Sequence, residues 1–215
     1  MSGLVRPRGA FILFEGIDRC GKSTQCALLA ESLAKTAATE LIRFPDRTSC
    51  IGGLINSYLA SSTNMNDQTI HLLFSANRWE ASQALESKLR AGTTLICDRY
   101  AYSGVAFSAA KGLDMEWCKS CDDGLIAPDC IIYLDMTVEN AAKRGNYGEE
   151  RYEKEEFQRA VRSQFLELKQ RDTVPWFVID ATQTKEAIHD SISAIAAEVT
   201  SKLTAESPLS RLWGG

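Results

Sequence analysis

Residues 11–24 join a short apolar run to the pattern G-x-x-x-x-G-K-S, which spans Gly16 to Ser23, and a helix-forming stretch follows directly. This order predicts a buried strand, a glycine-rich loop and a helix whose N-terminus opens onto the loop. In such a loop the backbone N–H groups converge on a polyphosphate. We expect Lys22 to reach the β- and γ-phosphates and the Ser23 hydroxyl to hold a Mg²⁺ ion. The alternative is an ordinary glycine-rich turn without a ligand.

Composition limits the class of protein. The chain has 215 residues and 45% hydrophobic composition, which fits one domain, residues 1–215, with a buried core. Lys and Arg total 24 against 28 Asp and Glu, and this net charge of −4 argues against a nucleic-acid binder. No apolar run approaches the roughly 20 residues of a membrane span. Seven scattered cysteines and the lack of a signal-peptide pattern predict an intracellular setting, with the cytoplasm favoured over a nucleus or organelle.

Three possible metal or redox features carry little weight. Cys118 and Cys121 have C-x-x-C spacing, but no second pair stands at the spacing expected of a zinc site. His71 and His189 are isolated within helical patterns. We interpret all four as ordinary structural residues.

Five apolar or β-branched runs alternate with segments of helical periodicity. The runs are residues 11–15, 41–44, 94–98, 130–135 and 176–180, and the helical segments are 23–36, 67–91, 102–110, 154–172 and 185–203. This alternation predicts an α/β fold in which a five-stranded parallel sheet is flanked by helices on both faces. Ligands of such sheets bind at the carboxyl ends of the strands.

Cations near the predicted strand ends indicate a second phosphate site. Arg47 follows the second strand and Arg99 follows the third, and the planar guanidinium of arginine holds phosphate through two hydrogen bonds. Asp98, directly before Arg99, could orient an acceptor oxygen or hold the water shell of a metal, and we favour it over other carboxylates for the metal role. Asp135 ends the fourth strand and is a rival that the sequence alone does not eliminate. The alternative is that both arginines are ordinary surface residues of loops and bind no ligand.

A charged stretch, residues 143–156, mixes four cations with five glutamates and two glycines. It fits a solvated helix cap as well as a short mobile lid at about residues 143–153.

Four segments together resemble the thymidylate kinases, specifically the eukaryotic type within the P-loop nucleoside monophosphate kinases. They are F-P-D-R at 44–47, L-L-F-S-A-N-R-W-E at 72–80, D-R-Y-A-Y-S-G-V-A-F at 98–107 and R-Y-E at 151–153. The resemblance runs from about residue 9 to residues 209–213 and keeps the order and spacing of the family. It implies phosphoryl transfer from MgATP to thymidine monophosphate, in dTTP biosynthesis, by a homodimer.

The resemblance also implies roles for particular residues. The thymine base is expected against Phe74, Arg78, Ser103 and Gly104, although a core aromatic beside an arginine at i+4 would give the same pattern. Arg47 and Arg99 would hold the acceptor phosphate, Asp18 the sugar 3′-hydroxyl, and Phe44, Phe107 and Tyr152 the rest of the acceptor pocket, with Tyr152 rejecting a 2′-hydroxyl. The donor nucleotide is expected at Gly16, Arg19, Cys20, Gly21, Lys22, Ser23, Thr24 and Arg144, and the metal at Ser23 and Asp98.

The expected catalytic set is Asp18, Arg19, Lys22, Asp98 and Arg99. Because Arg19 supplies a cation within the loop, we expect catalysis to depend less on Arg144 and Arg151. Cys20 stands where alanine or glycine is expected of this type, and Asp46 stands where glutamate is expected. Neither difference removes a phosphate ligand.

Three other functions fit parts of the pattern. A deoxynucleoside kinase shares the phosphate loop, but its acceptor has no phosphate for Arg47 to bind. A GTP-dependent switch protein would need an N-K-x-D segment, which the sequence lacks. A non-catalytic nucleotide-binding module would not need the full retained set, which is Arg19, Lys22, Ser23, Asp98 and Arg99.

Overall fold

The computed structural model of the protein describes residues 7–144 and 151–214. The central element is one sheet of five parallel strands in the order β2-β3-β1-β4-β5. The strands are β1 (Phe11–Glu15), β2 (Thr39–Arg43), β3 (Thr94–Asp98), β4 (Cys130–Asp135) and β5 (Trp176–Asp180). The predicted α/β fold with a five-stranded parallel sheet is confirmed.

Eight helices of the described chain flank this sheet. They are α1 (Lys22–Ala34), α2 (Cys50–Leu59), α3 (Asp67–Arg90), α4 (Ala101–Ala109), α5 (Met115–Ser120), α6 (Val138–Ala142), α7 (Glu155–Arg171) and α8 (Lys185–Ser201). Within the described residues, no helix combines the length and the apolar character that crossing a membrane requires.

The sheet separates two hydrophobic cores, because successive side chains of a strand point to opposite faces. In β1, Phe11 and Leu13 join the core that α3, α4 and α7 cover. Ile12 and Phe14 join the core beneath α1, α6 and α8. All four side chains are fully buried. Burying each large apolar side chain contributes about 1.5–3 kcal/mol, so β1 is fixed firmly at the centre of the sheet.

Local signals explain where the predicted elements shift. The second strand begins at Thr39 rather than at residue 41, because Thr39 and Glu40 pair with β3 although their side chains are only half-buried. Helices α2, α5 and α6 were not predicted. Each is short, and α2 contains adjacent glycines, which lower helix propensity. A cap at Ser49, whose hydroxyl accepts from the Gly52 N–H (3.0 Å), is the signal that could have located α2.

The isolated cysteine and histidine motifs lie within the packing. All seven cysteines of the chain are free thiols. His71 on α3 is buried, with Nδ1 2.7 Å from Ser108 Oγ and Nε2 3.0 Å from the Cys118 carbonyl oxygen. Desolvation lowers the pKa of His71 below its ordinary value. This histidine therefore joins α3 to α4 and α5 as a neutral side chain.

Candidate active site

The loop between β1 and α1 has the backbone that its glycines predict. Gly16 has φ 145° and Gly21 has φ 99°, values that favour glycine. A Cβ atom at Gly16 would lie 2.7 Å from the Leu134 carbonyl oxygen, so a side chain there is excluded. The Lys22 ammonium donates to the carbonyl oxygens of Gly16 (3.1 Å) and Ile17 (2.6 Å). The lysine is thus held across the mouth of the loop, where a phosphate could replace these carbonyls as its partner.

A serine and a carboxylate meet beside this loop. Ser23, on the first turn of α1, donates to Asp98 Oδ2 at 2.6 Å, and Asp98 is the last residue of β3. Arg43, its neighbour on β2, also contacts Oδ2, with Nη2 at 2.8 Å. Burial opposes ionisation of Asp98, but Lys22, Arg99, Ser23 and Arg43 together keep the pKa of its carboxyl below the ordinary value. An ionised carboxylate therefore stands next to the loop hydroxyl.

Asp135, the alternative carboxylate, is placed differently. Its two oxygens accept from Nε and Nη2 of Arg162 on α7, both at 2.8 Å. This paired geometry raises the pKa of Arg162 and joins β4 to α7. Of the two carboxylates, Asp98 is the one in contact with the loop serine.

Arg99 links the loop to the neighbouring helix. Its Nη1 donates to the Gly16 carbonyl oxygen (3.1 Å) and to Ser103 Oγ (2.9 Å), while Nη2 donates to the Asp18 carboxylate. The guanidinium lies 5.2 Å from the centroid of the Phe107 ring. Burial opposes its charge, but nearby carboxylates, Asp18 foremost, raise the pKa of Arg99 above its ordinary value. The cation is therefore fixed between the phosphate loop and α4.

Glu15 and Gln158 are two site residues that sequence reasoning missed. Glu15 ends β1 and is fully buried; its carboxylate accepts from the N–H groups of Tyr100 and Ser103 (both 3.0 Å) and from Ser103 Oγ (2.5 Å). Burial raises the pKa of Glu15, and Arg99 and these hydrogen bonds oppose the rise. A carboxylate at the end of a buried strand was the available signal. Glu15 fixes the start of α4 to the central strand.

Gln158, on α7, is also fully buried. Its Oε1 accepts from the Asp18 N–H (2.9 Å), and its Nε2 donates to Asp18 Oδ2 (2.6 Å) and to the Tyr152 carbonyl oxygen (2.9 Å). The amide thus holds the loop carboxylate and the backbone of Tyr152 together. Nothing in the local sequence distinguishes Gln158 from other polar residues of a helix.

Arg19 has a left-handed backbone, φ 62°, at the turn of the loop. Its Nε donates to Glu153 Oε1 at 2.8 Å, and 31% of its side chain is exposed. The loop arginine is therefore oriented by a carboxylate that follows Tyr152 in sequence.

A buried ion pair stands behind the predicted base site. Arg78 on α3 donates through Nε to Asp122 Oδ1 (3.0 Å) and through Nη2 to Asp122 Oδ2 (2.5 Å), and both side chains are almost completely buried. A Cβ atom at Gly104 would lie 2.7 Å from Arg78 Nη2. The guanidinium therefore rests against the bare backbone of α4. Asp122 lies 44 residues from Arg78 and gave no sequence signal.

The outer cations have their own contacts. Arg47 is exposed, and its Nη1 donates to Asn56 Oδ1 (3.0 Å) at the end of α2. Arg144 donates through Nη2 to the Ala181 carbonyl oxygen (2.7 Å), and its Nη1 would lie 3.1 Å from a Cβ atom at Gly21. Arg144 thus covers the outer side of the phosphate loop. Residues 145–150 of the predicted lid lie outside the described residues.

One cavity of about 1210 Å³ brings most of the predicted site residues together. Its lining includes Asp18, Arg19, Gly21, Lys22, Ser23, Thr24, Phe44, Arg47, Phe74, Arg78, Asp98, Arg99, Ser103, Gly104, Phe107, Arg144 and Tyr152. Two predicted residues do not line it. Gly16 lies at the base of the loop, and Cys20 lines a smaller cavity of about 200 Å³ with Gly21, Thr24 and Arg144.

This arrangement defines a class of protein. A parallel sheet carries a phosphate loop at its carboxyl edge, and the same cavity holds a second group of cations beside aromatic residues. That combination describes the P-loop nucleoside monophosphate kinases, which bind a phosphate donor and a phosphate acceptor together.

Comparisons identify the particular family. The thymidylate kinase family model matches residues 14–192. The chain is 50% identical to a thymidylate kinase of Arabidopsis thaliana over 210 residues, covering 97% of this chain and 79% of that protein. It is 48% identical to a thymidylate kinase of Danio rerio over 208 residues, covering 96% and 98%. A solved thymidylate kinase from Candida albicans superposes with a TM-score of 0.86 at 37% identity, covering 95% of this chain and 98% of that one. The chain belongs to the thymidylate kinase family.

Proposed function

We propose that the protein transfers the γ-phosphoryl group of MgATP to thymidine monophosphate and releases thymidine diphosphate and ADP. The observation that carries this proposal is the single cavity in which the phosphate loop faces Arg47, Arg99 and Phe74. A nucleotide hydrolase needs only the loop. The additional cations suit an acceptor that itself carries a phosphate.

The residues present fit a magnesium ion. Ser23 Oγ and Asp98 Oδ2 lie 2.6 Å apart, and both are hard oxygen donors of the kind that Mg²⁺ prefers. A bound Mg²⁺ ion would supply positive charge that offsets part of the negative charge on the donor phosphates. Ser23 and Asp98 would hold the ion, with Asp98 also orienting the Ser23 hydroxyl, which donates to its carboxylate.

The remaining roles follow from position. Lys22 would exchange its loop carbonyls for the donor phosphates, and Arg19 would face the group in transit, where developing charge needs a cation already in place. Arg47 and Arg99 would hold the acceptor phosphate. Asp18, fixed by Gln158, would accept from the sugar 3′-hydroxyl.

The base and the donor adenine have separate surfaces. Phe74 and Phe107 would cover the faces of the thymine ring, and Arg78 would donate from Nη1 to a thymine carbonyl oxygen, since its Nε and Nη2 are engaged by Asp122. Arg144, lying over the phosphate loop, would pack against adenine.

A deoxynucleoside kinase remains the less favoured enzyme, and a single assay separates the two. ADP release should be measured with a coupled assay across a panel of nucleosides and nucleoside monophosphates. We expect thymidine monophosphate to give the highest kcat/KM and thymidine to give none. Turnover of thymidine at a comparable rate would contradict the assignment of Arg47 and Arg99 to an acceptor phosphate.

We also propose that the protein is a homodimer in the cytoplasm. Leu54 on α2 and Leu72 and Trp79 on α3 are large apolar side chains exposed by 50%, 50% and 43%. Exposed apolar side chains of this size favour burial against a second copy. Free cysteines throughout suit a reducing compartment. Light scattering coupled to gel filtration tests the dimer, and a monomer at micromolar concentration would contradict it.

A further inference from the structure

Tyr152 has one side in the acceptor cavity and the other in a compact cluster. Its ring stacks on Phe157 at 5.3 Å and 26°, and lies 5.5 Å from Phe107 and 6.1 Å from Tyr58 between centroids. Phe107 and Tyr152 line the cavity, whereas Phe157 and Tyr58 stand behind. The depth to which the Tyr152 ring enters the cavity is therefore set by what supports it from behind.

A cation forms part of that support. Lys111 lies in the turn after α4, and its ammonium is 4.8 Å from the centroid of the Tyr152 ring and 5.4 Å from that of Tyr58. It also donates to Asp67 Oδ1 (3.0 Å) and to Tyr58 Oη (3.3 Å). Only 12% of its side chain is exposed. An ammonium this close to an aromatic ring is attracted by the ring, and more strongly when partly removed from water.

The backbone next to Tyr152 is fixed to the same cluster. Arg151 lies 4.1 Å from the centroid of the Tyr58 ring, and its Nε donates to the Tyr58 carbonyl oxygen (2.9 Å). Its Nη2 donates to the Thr63 carbonyl oxygen (2.9 Å) and to Asn64 Oδ1 (2.8 Å). Arg151 therefore anchors the chain to the end of α2. Of these two cations, Lys111 is the one whose charge lies over the Tyr152 ring.

We propose that Lys111 is a positioning residue that determines how far the Tyr152 ring projects toward the acceptor sugar, and hence how strongly the enzyme rejects ribose. Lys111 does not line the cavity and acts only through Tyr152. The inference rests on the proposed function and on the role that the family resemblance implies for Tyr152, whose bulk would exclude a 2′-hydroxyl by steric contact. Without the ammonium, the ring gains freedom to move away from the sugar.

The test compares kcat/KM for the deoxyribose and ribose forms of thymidine monophosphate. Lys111→Met removes the charge and keeps the length of the side chain, and it should narrow the preference for deoxyribose by about two- to fivefold. Lys111→Arg keeps a cation over the ring and should retain the parent ratio. Lys119→Met is the matched control, because Lys119 also faces an aromatic ring, Trp213 at 5.7 Å, and pairs with Glu116 at 3.0 Å, and we expect no change in the ratio.

Tyr152→Ala tests the sugar role of Tyr152 separately from the positioning role of Lys111. If Tyr152→Ala widens tolerance for ribose and Lys111→Met does not, the role of Lys111 is overturned while that of Tyr152 stands. If Tyr152→Ala leaves the ratio unchanged, the sugar role of Tyr152 is itself wrong. Adding Lys111→Met to Tyr152→Ala should change the ratio no further, because the two act through one ring.

If Lys111→Met fails to fold, a second variant, Asp67→Asn, tests the same proposal. Asp67→Asn removes the carboxylate that holds the Lys111 ammonium, at a side chain that is 43% exposed. If the ratio of kcat/KM for the deoxyribose and ribose substrates is smaller in Asp67→Asn than in the parent, the proposal is supported. If the ratio equals that of the parent, the proposal is overturned.

Discussion

Gly104 and Gly53 offer a matched pair of glycine-to-alanine changes inside helices. Gly104 is in α4 and Gly53 is in α2, and both have ordinary helical backbone. Replacing either glycine by alanine should raise the free energy of unfolding by about 0.5–1 kcal/mol, because alanine has the higher helix propensity. At Gly53 nothing lies within 4 Å of the new Cβ atom, so Gly53→Ala should realise this gain in full.

At Gly104 the new methyl group meets the Arg78 guanidinium, with Nη2 at 2.7 Å and Nη1 at 3.0 Å. The end of an arginine usually moves aside at little cost. Here two hydrogen bonds to the buried Asp122 hold it in place. Overpacking of this kind costs about 1–3 kcal/mol, so Gly104→Ala should be less stable than Gly53→Ala by about that amount.

Urea denaturation followed by tryptophan fluorescence measures both free energies of unfolding. The displaced guanidinium should also raise KM for thymidine monophosphate by about tenfold, the scale on which a pocket discriminates one small group, and leave KM for ATP unchanged. Two variants of equal stability with the parent KM would refute the close contact between Gly104 and Arg78.

Three further outcomes are expected. Asp122→Asn leaves the buried Arg78 guanidinium without its carboxylate and should lower the free energy of unfolding in urea titrations by about 3–5 kcal/mol. The control is Asp123→Asn, at the exposed neighbouring residue, which should change this free energy little. Equal stabilities of the two variants would contradict the buried pair. Arg47→Ala should reduce kcat/KM for thymidine monophosphate by the equivalent of about 2–4 kcal/mol, while the affinity for ATP, measured by calorimetry, should stay the same. Unchanged kinetics would exclude Arg47 from the acceptor site. Arg19→Gly suits the local φ of 62°, so it should fold normally and lower kcat far more than it raises either KM; a raised KM at constant kcat would make Arg19 a ground-state ligand only.

The framework of the fold was predictable because it depends on local patterns. Buried runs such as β1 and β4 and the long helix α3 have strong periodicity and turn signals at their ends. The edge strand β2 was placed two residues late, since its half-buried residues carry a weaker pattern. Short helices depend on caps and on packing with distant segments, which periodicity does not record.

The candidate site divides in the same way. Residues at strand ends and in the phosphate loop could be predicted to lie close together, because the carboxyl ends of parallel strands meet at one edge of the sheet. Their partners were not. Gln158 lies 140 residues from Asp18, and Asp122 lies 44 residues from Arg78, so only the tertiary structure pairs them. The orientation of Arg151 toward the end of α2, rather than toward the phosphate loop, likewise depends on contacts distant in sequence.

The hydrogen bonds of Glu15 have a consequence for how this active site could diversify. Because one carboxylate on the central strand accepts from the N–H groups of Tyr100 and Ser103, the start of α4 is tied directly to the strand end from which the phosphate loop begins. We therefore expect substitutions of cavity-lining residues such as Phe74 and Tyr152 to change which nucleotide is accepted while the link between β1 and α4 stays intact. Laboratory selection for unnatural nucleotides should accumulate changes at these surface positions and leave Glu15 untouched.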